Sequence, residues 1–94
     1  MASFDLIIRN GTVATAGDVV RCDIAVRGGR VVALGEDLGK AENTIDATGR
    51  LVTPGGVDSH CHMDQQAWEG QETADDFRSG TTSAACGGTT TVIP

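Results

Sequence analysis

Residues 54–65 read PGGVDSHCHMDQ, and this stretch places two histidines one residue apart directly after a change in the sequence pattern. Pro54 and the two glycines after it close the strand-like runs that precede them, because proline cannot donate to a strand ladder. Val57 to Met63 then predicts a short strand. Side chains alternate between the two faces of a strand. We therefore expect His60 and His62 on one face and Cys61 on the other.

Two imidazoles on one strand face are suited to binding a metal ion. Their Cα atoms would lie roughly 6.5–7 Å apart, and both rings could reach one ion at about 2.0–2.1 Å from nitrogen. Cys61 could not join them without breaking the strand. Asp58 shares the histidine face, and two interpretations stay open for it: it orients a ligand imidazole, or it caps local N–H groups near the turn.

The sequence after this stretch predicts a helix and a second strand. Thr73 with Asp76 three residues on fits a capping box, which predicts a helix over 74–86. Gly87-Gly88 can supply a left-handed helix end, and TTTVI then predicts a strand. Strand, helix and strand form a βαβ unit with parallel pairing, so we place a domain boundary near Thr53 to Gly55.

The first half of the chain predicts a small antiparallel sheet built of three hairpins. FDLIIRNGTVAT has Asn10-Gly11 between two β-rich runs, the dipeptide typical of a type I′ turn. DIAVRGGRVVALG repeats the arrangement about Gly28-Gly29, with Ile24 and Val26 on one face. TIDATGRLVTPGG predicts a third, weaker pair of strands about 47–49.

The composition narrows the classes of partner. The chain of 94 residues has a formal charge of −6, which would repel nucleic acid and an anionic membrane surface. No apolar run approaches the roughly 18 residues of a membrane span, and residues 1–4 lack the features of a secretory signal. We expect a cytoplasmic protein with a small-molecule or protein partner.

The three cysteines, Cys22, Cys61 and Cys86, are widely spaced and show no metal or redox spacing, which predicts buried free thiols. The last residues, GGTTTVIP, form an apolar β-branched run. We expect the fold to continue beyond Pro94.

A family resemblance rests on these motifs. TPGGVDSHCHMD followed by TADDFRSGTTSAACGGTTTVIP resembles the start of the dihydropyrimidinase and D-hydantoinase group of the amidohydrolase superfamily. The opening strands resemble that group's N-terminal β-sandwich segment. The resemblance implies a mixed fold: residues 1–53 in the sandwich segment and residues 54–94 as the first βαβ unit of an incomplete (β/α)8 barrel.

The resemblance also implies the chemistry. Members of the group hold two divalent metal ions, usually Zn²⁺, bridged by a carbamylated lysine, and hydrolyse the ring amide of hydantoins or dihydropyrimidines. His60 and His62 would bind the more buried ion. The bridging lysine, two further histidines and a catalytic aspartate would lie outside this chain, and Lys40, in the sandwich segment, is not the bridge. We expect the 94-residue chain alone to be inactive, and the intact protein to be a homotetramer or dimer.

The loop from Met63 to Glu72 corresponds to a segment that borders the substrate pocket in this group, and Met63 and Trp68 are its substrate-loop residues here. Trp68 either lines the pocket or packs the loop onto the barrel. We expect the loop to affect substrate range and not metal binding. The acidic residues nearby predict a solvated face and helix cap rather than a second carboxylate site; they are Glu69, Glu72, Asp75 and Asp76.

Two other functions stay open. One is a different enzyme of the superfamily: an allantoinase, a dihydroorotase or an acyclic-amide hydrolase. The other is a non-catalytic dihydropyrimidinase-like assembly protein. Such proteins usually lose the ligand histidines, and both are present here, which argues against the second alternative.

Overall fold

The structure, a computed structural model, describes residues 3–65, 70 and 73–94 and divides into two units, Met1–Pro54 and Gly55–Pro94. We name them the sheet unit and the βαβ unit. The strands of the sheet unit are β1 (Phe4–Ala14), β2 (Val19–Arg27), β3 (Arg30–Gly35), β4 (Ala41–Asp46) and β5 (Leu51–Val52). The βαβ unit contains β6 (Gly56–Asp58), α1 (Phe77–Cys86) and β7 (Thr89–Val92).

The hairpin predicted at Gly28-Gly29 is confirmed. Strands β2 and β3 pair antiparallel, with Arg27 opposite Arg30. The two glycines between them have φ values of 60° and 75°, as a two-residue type I′ turn requires. Glycine adopts this conformation without the steric cost that a Cβ atom would add.

The hairpin predicted at Asn10-Gly11 is wrong, because β1 runs straight through this dipeptide. Its register against β2 shifts between Ile8 and Gly11, and Asn10 has a φ of 66°. Arg9 and Asn10 therefore lie opposite the single residue Asp23 in a β-bulge, and Gly11 follows it. The Asn10 backbone N–H donates to the Asp23 carboxylate at 2.8 Å, while a Cβ atom on Gly11 would lie 2.7 Å from Val52 Cγ2.

The third predicted hairpin is also wrong. Strands β4 and β5 do not pair with each other; both pair parallel with β1, one on each side of its bulge. The chain between them makes a turn in which the Arg50 N–H donates to the Ala47 carbonyl at 2.9 Å. The Ala47 N–H donates to the Arg9 carbonyl at 2.7 Å, and the Thr12 N–H to the Arg50 carbonyl at 3.0 Å. The sheet is therefore mixed, with order β3-β2-β1-β4 and β5 beside β1.

Six apolar residues of the sheet unit are buried: Ile7, Val13, Cys22, Ile24, Ala25 and Ala47. Ile8, Val26 and Val52 pack against the cluster formed by Val13, Cys22 and Ile24. All three cysteines are free. The prediction of buried thiols holds only for Cys22, because Cys61 is half-buried and Cys86 is exposed.

The βαβ unit is confirmed, since β6 and β7 pair parallel and α1 connects them. Its helix ends at Cys86 as predicted, and Gly88, with a φ of 92°, provides the left-handed residue. The predicted start is wrong by three residues: the N-cap is Asp76, which forms a capping box with Ser79. Within the described part of the chain, no helix has the length and apolar character needed to cross a membrane.

Candidate functional site

The candidate site begins where β6 ends. The last pairing of β6 with β7 joins Asp58 to Val92, and the Ile93 N–H donates to the Asp58 carbonyl at 2.8 Å. The chain then bends at residues 59–60, so the predicted strand over 57–63 is too long by five residues. Both histidines lie beyond the carboxyl end of a parallel strand, the edge at which α/β enzymes place their chemistry.

The structure brings the two histidines together. The ring centroids of His60 and His62 are 5.3 Å apart, with an interplanar angle of 63°. Both residues are exposed, whereas Cys61 between them is half-buried. The two imidazole rings therefore come together because the chain bends after β6. The prediction rested on the alternation of side chains along an extended strand, and this alternation is not the cause.

Asp58 makes the contact expected of a capping residue. Its carboxylate accepts a hydrogen bond from the His60 backbone N–H at 3.1 Å, which stabilises the bend in front of the histidines. This contact favours the capping interpretation over the interpretation in which Asp58 orients a ligand imidazole.

Gln65 is a site residue that the sequence patterns did not reveal. Its Oε1 atom lies 2.8 Å from Nδ1 of His62. An amide oxygen only accepts hydrogen bonds, so the neutral tautomer that suits this contact carries its hydrogen on Nδ1 and its lone pair on Nε2. Asp64 between them has a φ of 52°. Asp tolerates this left-handed conformation, and the turn brings Gln65 back to His62. Asp64 was therefore the residue from which this contact could have been predicted.

The donor set fits part of a metal site. Two imidazoles are good ligands for Zn²⁺, but such ions usually take four ligands. Across residues 3–65, 70 and 73–94, no three His, Cys, Asp or Glu side chains are grouped so that they could hold an ion. Any metal at His60 and His62 would therefore need further ligands from other residues.

Met63 lies inside the βαβ unit. It is 8% exposed, and its side chain covers Gly80 of α1, where a Cβ atom would lie 2.7 Å from the Met63 Sδ atom. This burial favours a packing role for Met63 over contact with substrate. The other predicted substrate-loop residue, Trp68, lies outside the described residues, as do Glu69 and Glu72.

A polar cavity of about 520 Å³ lies beside Gln65 and the start of α1. Its lining includes three carboxylates, those of Asp64, Asp75 and Asp76. Hydrogen bonds from the Ser79 backbone and hydroxyl hold the pKa of Asp76 below its ordinary value of 3.8. Asp76 is therefore used as a helix cap, in agreement with the predicted role of the acidic residues that the structure describes.

The sequence comparisons identify the family of the chain. The model of the amidohydrolase family matches residues 43–92. The chain belongs to this family.

Individual relatives agree with this assignment. The chain is 47% identical to a D-hydantoinase of Ralstonia pickettii over 95% of its length, and 51% identical to an allantoinase of Salmonella paratyphi B over 97%. A solved D-hydantoinase structure covers 95% of the chain at 46% identity with a TM-score of 0.89. In each case the chain spans 19% of the relative's length.

Proposed function

We propose that this chain is part of a metal-dependent cyclic amidohydrolase that hydrolyses the ring amide bond of hydantoins or dihydropyrimidines. The observation that carries the proposal is the convergence of His60 and His62, 5.3 Å between ring centroids, just past the carboxyl end of β6. The similarity to a D-hydantoinase over 95% of the chain supports the class of substrate.

In this proposal His60 and His62 hold one of two divalent ions, which we propose to be Zn²⁺. A divalent ion bound there supplies Lewis acidity toward the ring amide carbonyl and makes water a better nucleophile at neutral pH. The carbamylated lysine and the remaining ligands belong to residues outside this chain. The chain's own contribution is to present two imidazoles from a bend that Asp58 caps.

The architecture of the intact protein is part of the proposal. Residues 1–53 form a β-sandwich segment, and residues 54–94 begin a (β/α)8 barrel with its site at the carboxyl ends of the strands. The intact protein works in the cytoplasm as a homotetramer or dimer. The 94-residue chain alone is inactive, because a catalytic centre needs the ligands that lie elsewhere.

Substrate and metal dependence can be tested together on the full-length protein. We expect ring opening of hydantoin or dihydrouracil, loss of that activity after treatment with a chelator, and its return when Zn²⁺ is added. A protein that keeps full activity after its metal has been removed would contradict the proposal.

A second enzyme function is supported by one observation, the 51% identity to an allantoinase. The discriminating measurement is the ratio of kcat/KM values for allantoin, hydantoin and dihydrouracil. Preference for allantoin would replace the proposed substrate and leave the metal assignment intact. A metal-free protein that opens none of the rings would instead indicate the non-catalytic alternative.

The loop over 63–72 provides a separate test. We expect Trp68→Ala to change the relative rates on hydantoins with different 5-substituents, with metal content unchanged, and Trp68→Phe to have a smaller effect. Loss of metal with unchanged relative rates would show that the loop's role has been assigned wrongly.

A further inference from the structure

We propose that Gln65 is a positioning residue for the metal ligand His62, and that Thr73 holds Gln65 in place. This inference rests on the proposed function, since it takes His62 to be a metal ligand. Its basis is a chain of contacts that joins the two ends of the segment over 65–73 and finishes at the His62 ring.

The first contact is direct. His62 lies in neither a helix nor a strand and is exposed, so no backbone ladder fixes the orientation of its ring. Among the residues that the structure describes, Gln65 is hydrogen-bonded to this ring, with Oε1 at 2.8 Å from Nδ1. Holding the hydrogen on Nδ1 leaves Nε2 as the metal-binding nitrogen, which is how partners of ligand histidines usually act.

The second set of contacts fixes Gln65. Its backbone N–H donates to the Thr73 hydroxyl at 3.1 Å, and its carbonyl accepts from the Thr73 N–H at 2.9 Å. The Thr73 hydroxyl in turn donates to the Asp75 carbonyl at 3.1 Å. One hydroxyl thus serves as acceptor and donor, and it ties Gln65 to the residues that precede α1.

A third contact reinforces this tie. The Asp64 N–H donates to the Asp75 carbonyl at 2.8 Å, so two successive residues after His62 and Met63 are bound to residues 73–75. Met63, between His62 and Asp64, is anchored by burial against Gly80. The position of His62 relative to α1 therefore depends on the contacts that Asp64 and Gln65 make with residues 73–75.

The test measures the affinity of the full-length protein for Zn²⁺ by competition with a chromophoric chelator. We expect Gln65→Leu, which removes the acceptor at similar size, to weaken Zn²⁺ binding by about 10–100-fold. Gln65→Glu keeps an acceptor oxygen and should retain tight binding. Thr73→Val should weaken binding by a smaller factor, whereas Thr73→Ser keeps the hydroxyl and should match the wild type.

The outcomes separate this inference from the proposed function. If His62→Ala loses Zn²⁺ but Gln65→Leu binds it as tightly as the wild type, the positioning role is wrong and the proposed metal site stands. If Gln65→Glu binds as weakly as Gln65→Leu, the amide acceptor is not what matters and the inference also fails. If His62→Ala itself binds Zn²⁺ normally, the proposed metal site is wrong. The thermal midpoint of each metal-free variant shows whether a lower affinity reflects lost folding.

Discussion

The two units are stabilised by different kinds of interaction. In the sheet unit the central strand β1 pairs with β2, β4 and β5, and six apolar residues are buried. Among the described residues of the βαβ unit, only Met63 and Gly80 are buried. The segment with the two histidines is held by a few backbone and side-chain hydrogen bonds. The proposed site therefore lies where polar contacts set the geometry, and the strand ladder stabilises the sheet unit. Substitutions in the sheet unit should lower the free energy of unfolding, and substitutions around the histidines should displace the imidazole rings.

The largest stability effect is expected at Ile7, which is fully buried on β1. Ile7→Ala should destabilise the sheet unit by about 2–5 kcal/mol, and Ile7→Val by about 0.5–1.5 kcal/mol, because each removes packed methyl groups. Hydrogen exchange measured by mass spectrometry on the full-length protein would locate the loss in residues 4–52. If Ile7→Ala left hydrogen exchange in residues 4–52 unchanged, the claim that buried packing stabilises the sheet unit would be wrong.

A smaller loss is expected at the bulge of β1. Gly11→Ala would place a Cβ atom 2.7 Å from Val52 and 3.3 Å from Ala47, and such overpacking costs about 1–3 kcal/mol. Gly17→Ala is the matched control, because a Cβ atom there meets nothing within 4 Å. Equal thermal midpoints for the two variants would show that Val52 moves aside without cost.

In α1 the informative result is whether Gly80→Ala stabilises or destabilises the helix. Helix propensity alone favours alanine by about 1 kcal/mol, but the new Cβ atom would lie 2.7 Å from the Met63 thioether. We expect the propensity gain to be cancelled or reversed, whereas Ser83→Ala, at an exposed position of the same helix, should be mildly stabilising. A full propensity gain at Gly80, seen as slower exchange of α1 amides, would show that the contact with Met63 does not constrain the helix.

A further effect is expected at the helix cap, and it depends on pH. Hydrogen bonds from Ser79 lower the pKa of Asp76 below 3.8, so the carboxylate favours the folded state above pH 3.8 and loses this effect as pH falls through the lowered pKa. Asp76→Ala should therefore lower the denaturant midpoint at neutral pH, with the difference from wild type shrinking below pH 3.8. A difference that persisted undiminished at lower pH would rule out the carboxylate as its origin.

Local turn signals predicted the fold where no distant contact competes with them. Gly28-Gly29 forms the expected hairpin because both glycines take positive φ values. Asn10-Gly11 gave an equally good hairpin signal, yet it lies at a bulge. The Asp23 carboxylate that accepts the Asn10 N–H and the close approach of Val52 to Gly11 come from distant parts of the sequence, and no local pattern shows them.

The sequence predicted that the two histidines lie close together, but it did not predict the local geometry that brings them together. The H-x-H spacing identified the residues that converge, but the bend after Asp58 depends on a side-chain hydrogen bond to the His60 N–H. The helix start was misplaced for a related reason. Thr73 and Asp76 are both suitable N-caps, and the Thr73 hydroxyl is instead bound to Gln65, which leaves Asp76 to cap α1.

The most direct test of the central claim is the metal content of His60→Ala, His62→Ala and Cys61→Ser in the full-length protein, measured by atomic spectroscopy beside activity on a hydantoin. We expect each histidine variant to lose metal and activity together, because each removes one of the two converging imidazoles. Cys61→Ser should keep the wild-type metal stoichiometry, with some loss of packing stability at a half-buried position. Full metal in both histidine variants, or loss of metal only in the Cys61 variant, would contradict the assignment of this pair as metal ligands.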